Sequence, residues 1–476
     1  MTANPLAPGW LVVPTDANAL APTVWSRSAK RSASGVLSIA DLDVDALVAE
    51  YGTPVYVVDE ADARDRALEI RESFDREFAR VGSSAKVYYA GKAFLTTEVA
   101  RWMIAAGLNI DVCSGGELAV VLAAGVDPAR LGLHGNNKSF AEIDRAVGVG
   151  IGAIVLDSLV EIERVADAAA RHGRVQPVRL RINSGVHAST HEYLATARED
   201  QKFGIPLADA ADAVARIRSH DSLHFLGLHS HIGSQIFESD GFAEAARRLF
   251  ALHAELLADG DVPELNLGGG FGIAYTSVDV ALPLDEIARR FADIVSDAAA
   301  ALGVPVPIVA IEPGRAIIGP STTTIYEVGT IKDVQVTVAE PAEELAGDQA
   351  PTAIRKYVSV DGGMSDNIRP ALYGADYSAR LASRVSGAEP ALVRVAGKHC
   401  ESGDIVVHAE YLPGDIQPGD LLAVPATGAY CWSLANNYNY LGRPPVVAVR
   451  NGQARLLIRR ETEDDLLSRD TGVEKS

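Results

Sequence analysis

The sequence predicts an α/β protein, a (β/α)8 TIM barrel followed by a C-terminal, mostly antiparallel β domain. Three observations predict it. Between residues 86 and 311, eight short apolar runs alternate with Ala-rich amphipathic stretches. Such alternation is the pattern of βα units on a parallel sheet, and eight of them over about 250 residues make a barrel. Polar residues and glycines gather just after the runs, at the strand ends where barrel active sites sit. Beyond residue 320 the helical pattern gives way to short β-type runs with turn residues between them.

The elements follow in order. Residues 1–35 are rich in Ala, Pro, Ser and Thr without a sustained period, and read as an N-terminal extension, partly disordered. The barrel is expected over 58–318. Its strands are Lys86–Ala90, Leu108–Val112, Leu131–His134, Ala153–Asp157, Val178–Asn183, Phe225–Ser230, Glu264–Gly268 and Pro307–Ile311. Thr97–Ala106, Gly116–Ala124, Leu159–His172 and Asp240–Asp259 are among the helical stretches between them. A doubly wound open sheet is the rival architecture, but no G-x-G-x-x-G follows any of these strands. The β domain is expected to combine 36–57 with 319–476. Its runs are Thr323–Val328, Tyr357–Val360, Leu392–Ala396, Asp404–Ala409, Leu421–Ala423 and Val446–Arg450, and the run from Thr53 to Val58 adds a strand. The acidic, Pro-containing stretch 339–351 reads as a surface loop.

Composition narrows the function classes. The chain of 476 residues carries 43 Lys plus Arg against 63 Asp plus Glu, a net charge of −20. That balance argues against general nucleic-acid or anionic-membrane binding, which draw on excess cations. Three cysteines, Cys113, Cys400 and Cys431, form no C-x-x-C pair, so a zinc ribbon or redox dithiol is not expected. Sparse cysteine and the lack of a convincing targeting segment or membrane span point to the cytoplasm.

The strand ends carry the chemistry. Lys92, one of nine lysines, closes the first barrel strand. At a barrel mouth a desolvated lysine becomes a free amine for Schiff-base chemistry; a solvated surface lysine is the plain alternative. The run Asn266-Leu267-Gly268-Gly269-Gly270-Phe271-Gly272 follows the seventh strand. Backbone N–H groups of consecutive glycines approach an anion closely, and this part of a barrel favours phosphate. Together the lysine and the glycine run suggest pyridoxal phosphate (PLP). Glu312-Pro313-Gly314-Arg315 ends the eighth strand: Glu312 could hold a pyridine nitrogen protonated, and Arg315 could fork onto a carboxylate. His229 and His231 point the same way on the sixth strand, but nothing near them has metal-ligand spacing, and no metal is expected. His231 stacked on a cofactor ring, with Ser234 near the phosphate, fits better. Other polar residues at strand ends, Asp111, Ser114, His134, Asn136, Asp157 and Asn183, receive no individual role. In the β domain, Cys400 beside Glu401 offers a proton donor next to a carboxylate.

The motifs YYAGKAF at Lys92, DVCSGGEL from Asp111, GLHSHIGSQI at His231, NLGGGFGI, EPGRAI, DGGMSDNIRPALY and CESGD run in order along the chain. On these the chain resembles the fold-type III (alanine racemase-like) PLP decarboxylases, and CESGD and NIRPALY look like the diaminopimelate decarboxylase branch. The resemblance implies decarboxylation of meso-2,6-diaminopimelate to L-lysine; a related amino-acid decarboxylase of different specificity is the alternative. It implies that Lys92 holds PLP covalently and His231 stacks on the ring. Ser234, Gly268, Gly269, Gly270, Gly314 and Arg315 would surround the phosphate, with Glu312 on the ring nitrogen. Arg315, Arg369 and Tyr373 would grip the distal carboxylate. Cys400 would deliver a proton, Glu401 would meet the distal ammonium, and Tyr430 would line the site. It also implies a head-to-tail homodimer in which each site receives Cys400 and Glu401 from the other subunit. A racemase, which needs acid–base groups on both ring faces, is disfavoured by the CESGD context.

Overall fold

The computed structural model describes residues 4–186, 202–231, 233–235, 240–338 and 352–473. The stretch 339–351, expected as a surface loop, lies outside the described residues. By their internal contacts the residues form two compact units. One holds 64–273 and 281–317, the other 1–63, 274–280 and 318–476.

The first unit is a closed barrel. Its strands are β1 (Ala85–Ala90), β2 (Asn109–Val112), β3 (Leu131–Leu133), β4 (Ala153–Leu156), β5 (Gln176–Asn183), β6 (Leu223–His229), β7 (Glu264–Asn266) and β8 (Ile308–Ile311). Each pairs in parallel with the next, and β8 returns to β1 through Ala310 opposite Lys86. That closure eliminates the open-sheet rival. Parallel strands are covered on both faces, so they read as continuous apolar runs; β4, Ala153-Ile154-Val155-Leu156, is buried throughout.

The helices start on side-chain caps. Thr96 Oγ1 accepts from Val99 N ahead of Thr97–Ala105, and Ser114 Oγ accepts from Glu117 N ahead of Gly115–Ala123. Ser139 and Glu142 form a reciprocal capping box on Phe140–Val149.

The barrel interior is not wholly apolar. Arg179 of β5 donates from Nε and Nη2 to Glu264 Oε2 of β7 at 3.0 and 2.6 Å, and from Nη2 to the Tyr88 hydroxyl at 3.0 Å. Lys86 of β1 pairs with the other oxygen of Glu264.

In the second unit β9 (Thr322–Thr337) is the long central strand. Its first half pairs antiparallel with the strand Val55–Asp59, and its second half with β10 (Thr352–Val360). β11 (Pro390–Ala396), β12 (Ile405–Pro413), β13 (Leu421–Val424), β14 (Val446–Arg450) and β15 (Gln453–Ile458) complete it. Two pairings, β10 with β11 and Val55–Asp59 with β14, are parallel; the others are antiparallel.

The N-terminal stretch differs from expectation. Residues 1–35 were expected as a partly disordered extension, yet within its described part Val24 and Trp25 are buried in an apolar cluster with Leu37, Ile39, Leu47, Val55 and Val57. Asn18 accepts from Ser386 N at 2.9 Å, and its backbone oxygen accepts from Arg31 Nη2 at 3.0 Å. Val24 and Trp25, with Leu20 packed against the cluster, pin this irregular stretch to a sheet face. Among the described residues no helix is long and apolar enough to cross a membrane.

Candidate active site

The mouth of the barrel is assembled from the ends of β1, β6, β7 and β8. Lys92 sits in the 3-10 turn Gly91–Ala93 directly after β1, and its side chain is exposed. Ala90 N donates to Pro313 O at 3.0 Å, which ties the Lys92 turn to the Glu312-Pro313-Gly314-Arg315 turn. Arg315 Nη2 donates to Ser234 Oγ at 2.9 Å. Gly269 N donates to His231 Nδ1 at 3.1 Å, and Gly268 N to Asn266 Oδ1 at 2.8 Å. A Cβ on Gly269 would stand 2.0 Å from Glu312 O, so only glycine lets the end of β7 come this close to β8. The structure thus places Lys92, His231, Ser234, Gly268, Gly269, Gly270, Glu312, Gly314 and Arg315 in one unit.

Charge within the mouth is ordered by Glu312. Its Oε1 accepts from Asn266 Nδ2 at 2.7 Å and lies 3.0 Å from His229 Nε2 and 3.7 Å from His134 Nε2. Burial alone would raise this carboxyl, but His229 and His134 reverse that and hold it well below the usual carboxylate range. Burial lowers His229 to about 4, so near neutral pH it is an uncharged imidazole. Desolvation, with Lys92 nearby, also keeps His231 well below its ordinary value. His134 Nε2 lies 3.0 Å from Asp111 Oδ1, and burial pushes Asp111 upward.

The side chains present fit PLP. An anionic carboxylate suits a protonated ring nitrogen, an uncharged imidazole suits a ring face, and Lys92 supplies an amine. Donor atoms of His134, His229 and Glu312 also lie within 4.8 Å of one another. We assign them no metal role, since these imidazoles already face carboxylates. The histidine pair considered from sequence, His229 and His231, is not that group.

The remaining candidates belong to the β-rich unit. Arg369 is buried, with 3% of its surface exposed, and opens the short helix Arg369–Tyr373. Its Nη1 donates to the Tyr377 hydroxyl at 2.6 Å, and its guanidinium lies 4.7 Å from the Tyr275 ring centre. Tyr373 is half-buried, and Cys400 and Glu401 are exposed. Their loop is held from behind: Asp404 accepts from Met364 N at 2.6 Å and His399 N at 2.8 Å, while Cys400 N donates to Asn439 Oδ1 at 3.1 Å. The CESGD and DGGMSDN motifs are therefore two sides of one junction. Tyr430, half-buried, has a left-handed backbone with φ of 65°.

Sequence reasoning missed two groups. Tyr275 and Tyr377 enclose Arg369, and nothing in their local pattern signals it. His134 and His229 lie against Glu312; both stood at strand ends, the one signal available, but their convergence depends on barrel closure.

A parallel barrel bearing an amine, a glycine run and an ionised carboxylate at its mouth, on a chain that continues into a β domain, defines a barrel-type PLP enzyme. Residues 67–319 match the family model for the pyridoxal-binding domain of pyridoxal-dependent decarboxylases. Diaminopimelate decarboxylase of Mycobacterium tuberculosis is 52% identical over 457 residues, covering 94% of this chain and 98% of that one. The crystal structure of diaminopimelate decarboxylase from M. jannaschi superposes with a TM-score of 0.84 at 29% identity, covering 94% and 98% of the two chains. The Helicobacter pylori enzyme complexed with L-lysine gives 0.78 at 26% identity, covering 90% and 98%. The chain belongs to the diaminopimelate decarboxylase family of pyridoxal-dependent decarboxylases. Membership carries PLP dependence and carboxy-lyase chemistry.

Proposed function

We propose that this chain decarboxylates meso-2,6-diaminopimelate to L-lysine and CO2, the last step of lysine biosynthesis. The observation that carries the reading is the 52% identity along 94% of the chain to a relative of that name. PLP, when bound, supplies the electron sink that makes loss of CO2 from an α-carbon accessible.

The chain's own residues do the rest. Lys92 Nζ would hold the cofactor. Glu312, held below the usual carboxylate range, would face the ring nitrogen. His231, uncharged, packs on the ring face. Ser234, Gly268, Gly269, Gly270, Gly314 and Arg315 surround the phosphate. Arg315, Arg369 and Tyr373 hold the distal carboxylate of the substrate, and Tyr430 lines the site. A diamine-forming decarboxylase has no such carboxylate to hold, so a fixed cation like Arg369 favours the dicarboxylic substrate.

The loop of Cys400 and Glu401 is exposed in the single chain, which supports a homodimer in which these residues complete the neighbouring site. There Glu401 of the partner subunit meets the distal ammonium and Cys400 of the partner subunit returns a proton to the α-carbon. We place the enzyme in the cytoplasm, with the domain division near residues 58 and 318.

The test is CO2 release from the purified protein across diaminopimelate, lysine, ornithine and arginine. Diaminopimelate should be turned over fastest; a preference for another substrate selects the related-decarboxylase alternative. Borohydride should trap the cofactor on Lys92, and a Lys92→Ala protein that kept the long-wavelength cofactor absorbance would remove the assignment of that lysine.

A further inference from the structure

Three strand ends far apart in sequence meet at one oxygen of Glu312. Asn266 from β7 donates to Oε1 at 2.7 Å, His229 from β6 approaches it at 3.0 Å, and His134, just past β3, at 3.7 Å. The two imidazoles also pack edge to face, with ring centres 5.2 Å apart and planes at 72°. His134 Nε2 reaches a second buried carboxylate, Asp111 of β2, at 3.0 Å. None of these contacts falls on Oε2. All five side chains are buried, so none of this is a solvated surface arrangement.

We propose that His134 and His229 are positioning residues for the cofactor: they occupy Oε1 of Glu312, keep the carboxylate anionic and leave Oε2 to accept from the PLP ring nitrogen. The inference rests on the reading above that Glu312 faces that nitrogen. An isolated buried carboxylate would take up a proton, and a protonated Glu312 would no longer favour the protonated ring. Asn266 supplies one hydrogen bond, and the two imidazole edges add close polar contacts to the same oxygen in a dry cavity. Direction of effect agrees with this, since His229 and His134, followed by His231, lower Glu312. An uncharged His229 has one N–H to give, and Oε1 is the carboxylate oxygen it faces. His134 couples the clamp to Asp111, a second acid of the group. Lys92, Tyr88, Cys113, Glu117, Arg179, Arg181 and His231 are further charged or titratable groups within electrostatic reach of the cluster.

The experiment compares substrate-free holoenzyme of the parent with His134→Leu, His229→Leu, His134→Gln, His229→Gln and Glu312→Gln. Two quantities are read without turnover: the pH midpoint of the cofactor absorbance change, and the PLP concentration that restores half of that absorbance to apoprotein. Thermal melting checks folding. Each leucine variant should shift the midpoint and weaken PLP about tenfold, as expected for losing a close polar contact with a charged group. The glutamine variants, which can still donate to Oε1, should recover most of both. If the leucine variants titrate and bind like the parent while Glu312→Gln changes both readings, the proposal is overturned and the Glu312 reading survives. If Glu312→Gln is also silent, the Glu312 reading fails and takes the proposal with it. Should leucine prevent folding, His229→Asn, too short to reach Oε1, replaces it, and parental behaviour of that variant overturns the proposal.

Discussion

Arg369 Nη1 donates a 2.6 Å hydrogen bond to the hydroxyl of Tyr377, and that same oxygen lies 3.4 Å from Cys431 Sγ. The guanidinium is thus held by a neutral phenol, with no carboxylate as its hydrogen-bond partner among the described residues. Burial and two aromatic faces fix its direction, while its charge stays uncompensated by any acid it touches. Such a cation is well suited to an anionic ligand group.

If Arg369 grips the distal carboxylate, Arg369→Ala should lower kcat/KM for diaminopimelate by roughly two to four decades, from loss of a charge-assisted contact of about 3–5 kcal/mol. Steady-state kinetics decide it. A loss below threefold would remove Arg369 from the substrate site.

Tyr377→Phe keeps the ring and deletes the acceptor, leaving a buried N–H of Arg369 unsatisfied. That costs about 1–3 kcal/mol, read mainly as a raised KM for diaminopimelate. A variant whose KM stays within twofold of the parent would show that the guanidinium does not depend on this phenol.

The Cys400 loop depends on Asp404, and Asp404 depends on a missing side chain. A Cβ at Gly397 would stand 2.2 Å from Asp404 Oδ2. Gly397→Ala must push that carboxylate off Met364 N and His399 N. A displacement of about 1 Å at a reacting group can cost about 100-fold in rate. We expect kcat to fall by at least about tenfold on the same reasoning, with the cofactor absorbance of the barrel unchanged. Parental kcat would show that Asp404 does not position Cys400.

Inside the barrel, Glu264 compensates Arg179 and Lys86. Glu264→Gln leaves Arg179 buried without its counter-charge and should cost about 3–5 kcal/mol at pH 7 by denaturant unfolding. Burial opposes ionisation of Glu264, but Arg179 and Lys86 outweigh it and the carboxyl titrates below its ordinary value. A depressed acid contributes stability above its unfolded pKa of about 4.3, and loses it as pH falls through the folded value. The gap between parent and variant should therefore narrow in acid, below about pH 4. A gap that is constant with pH would count against the ion pair as its source.

Much of the barrel was legible because its strands are buried on both faces. β4 is an unbroken apolar run and was located to within a residue; β8, bounded by Pro307 and Glu312, was equally clear. β15 was not seen. It is an edge strand with much of its length exposed, so selection for an apolar run is weak there. Residues 274–280 gave no sign of belonging to the β-rich unit, where Ser378 N donates to Tyr275 O at 3.1 Å. The packing of 4–35 was missed because a stretch without a sustained period looks alike whether solvated or pinned by a few side chains.

The amino-acid sequence alone determined the parts whose chemistry is local: alternating apolar runs that become strands and helices, glycines where backbones must nearly touch, and a lysine, a glutamate and a cysteine in recognisable surroundings. Tertiary structure decided which side chains face one another. His134, His229 and Glu312 lie on three different strand ends and meet only because β8 pairs with β1 and closes the ring. Tyr275 and Tyr377 reach Arg369 from a loop and a coil. Ionisation depends on burial and on neighbours within a few ångströms, and neither is a property of position along a chain.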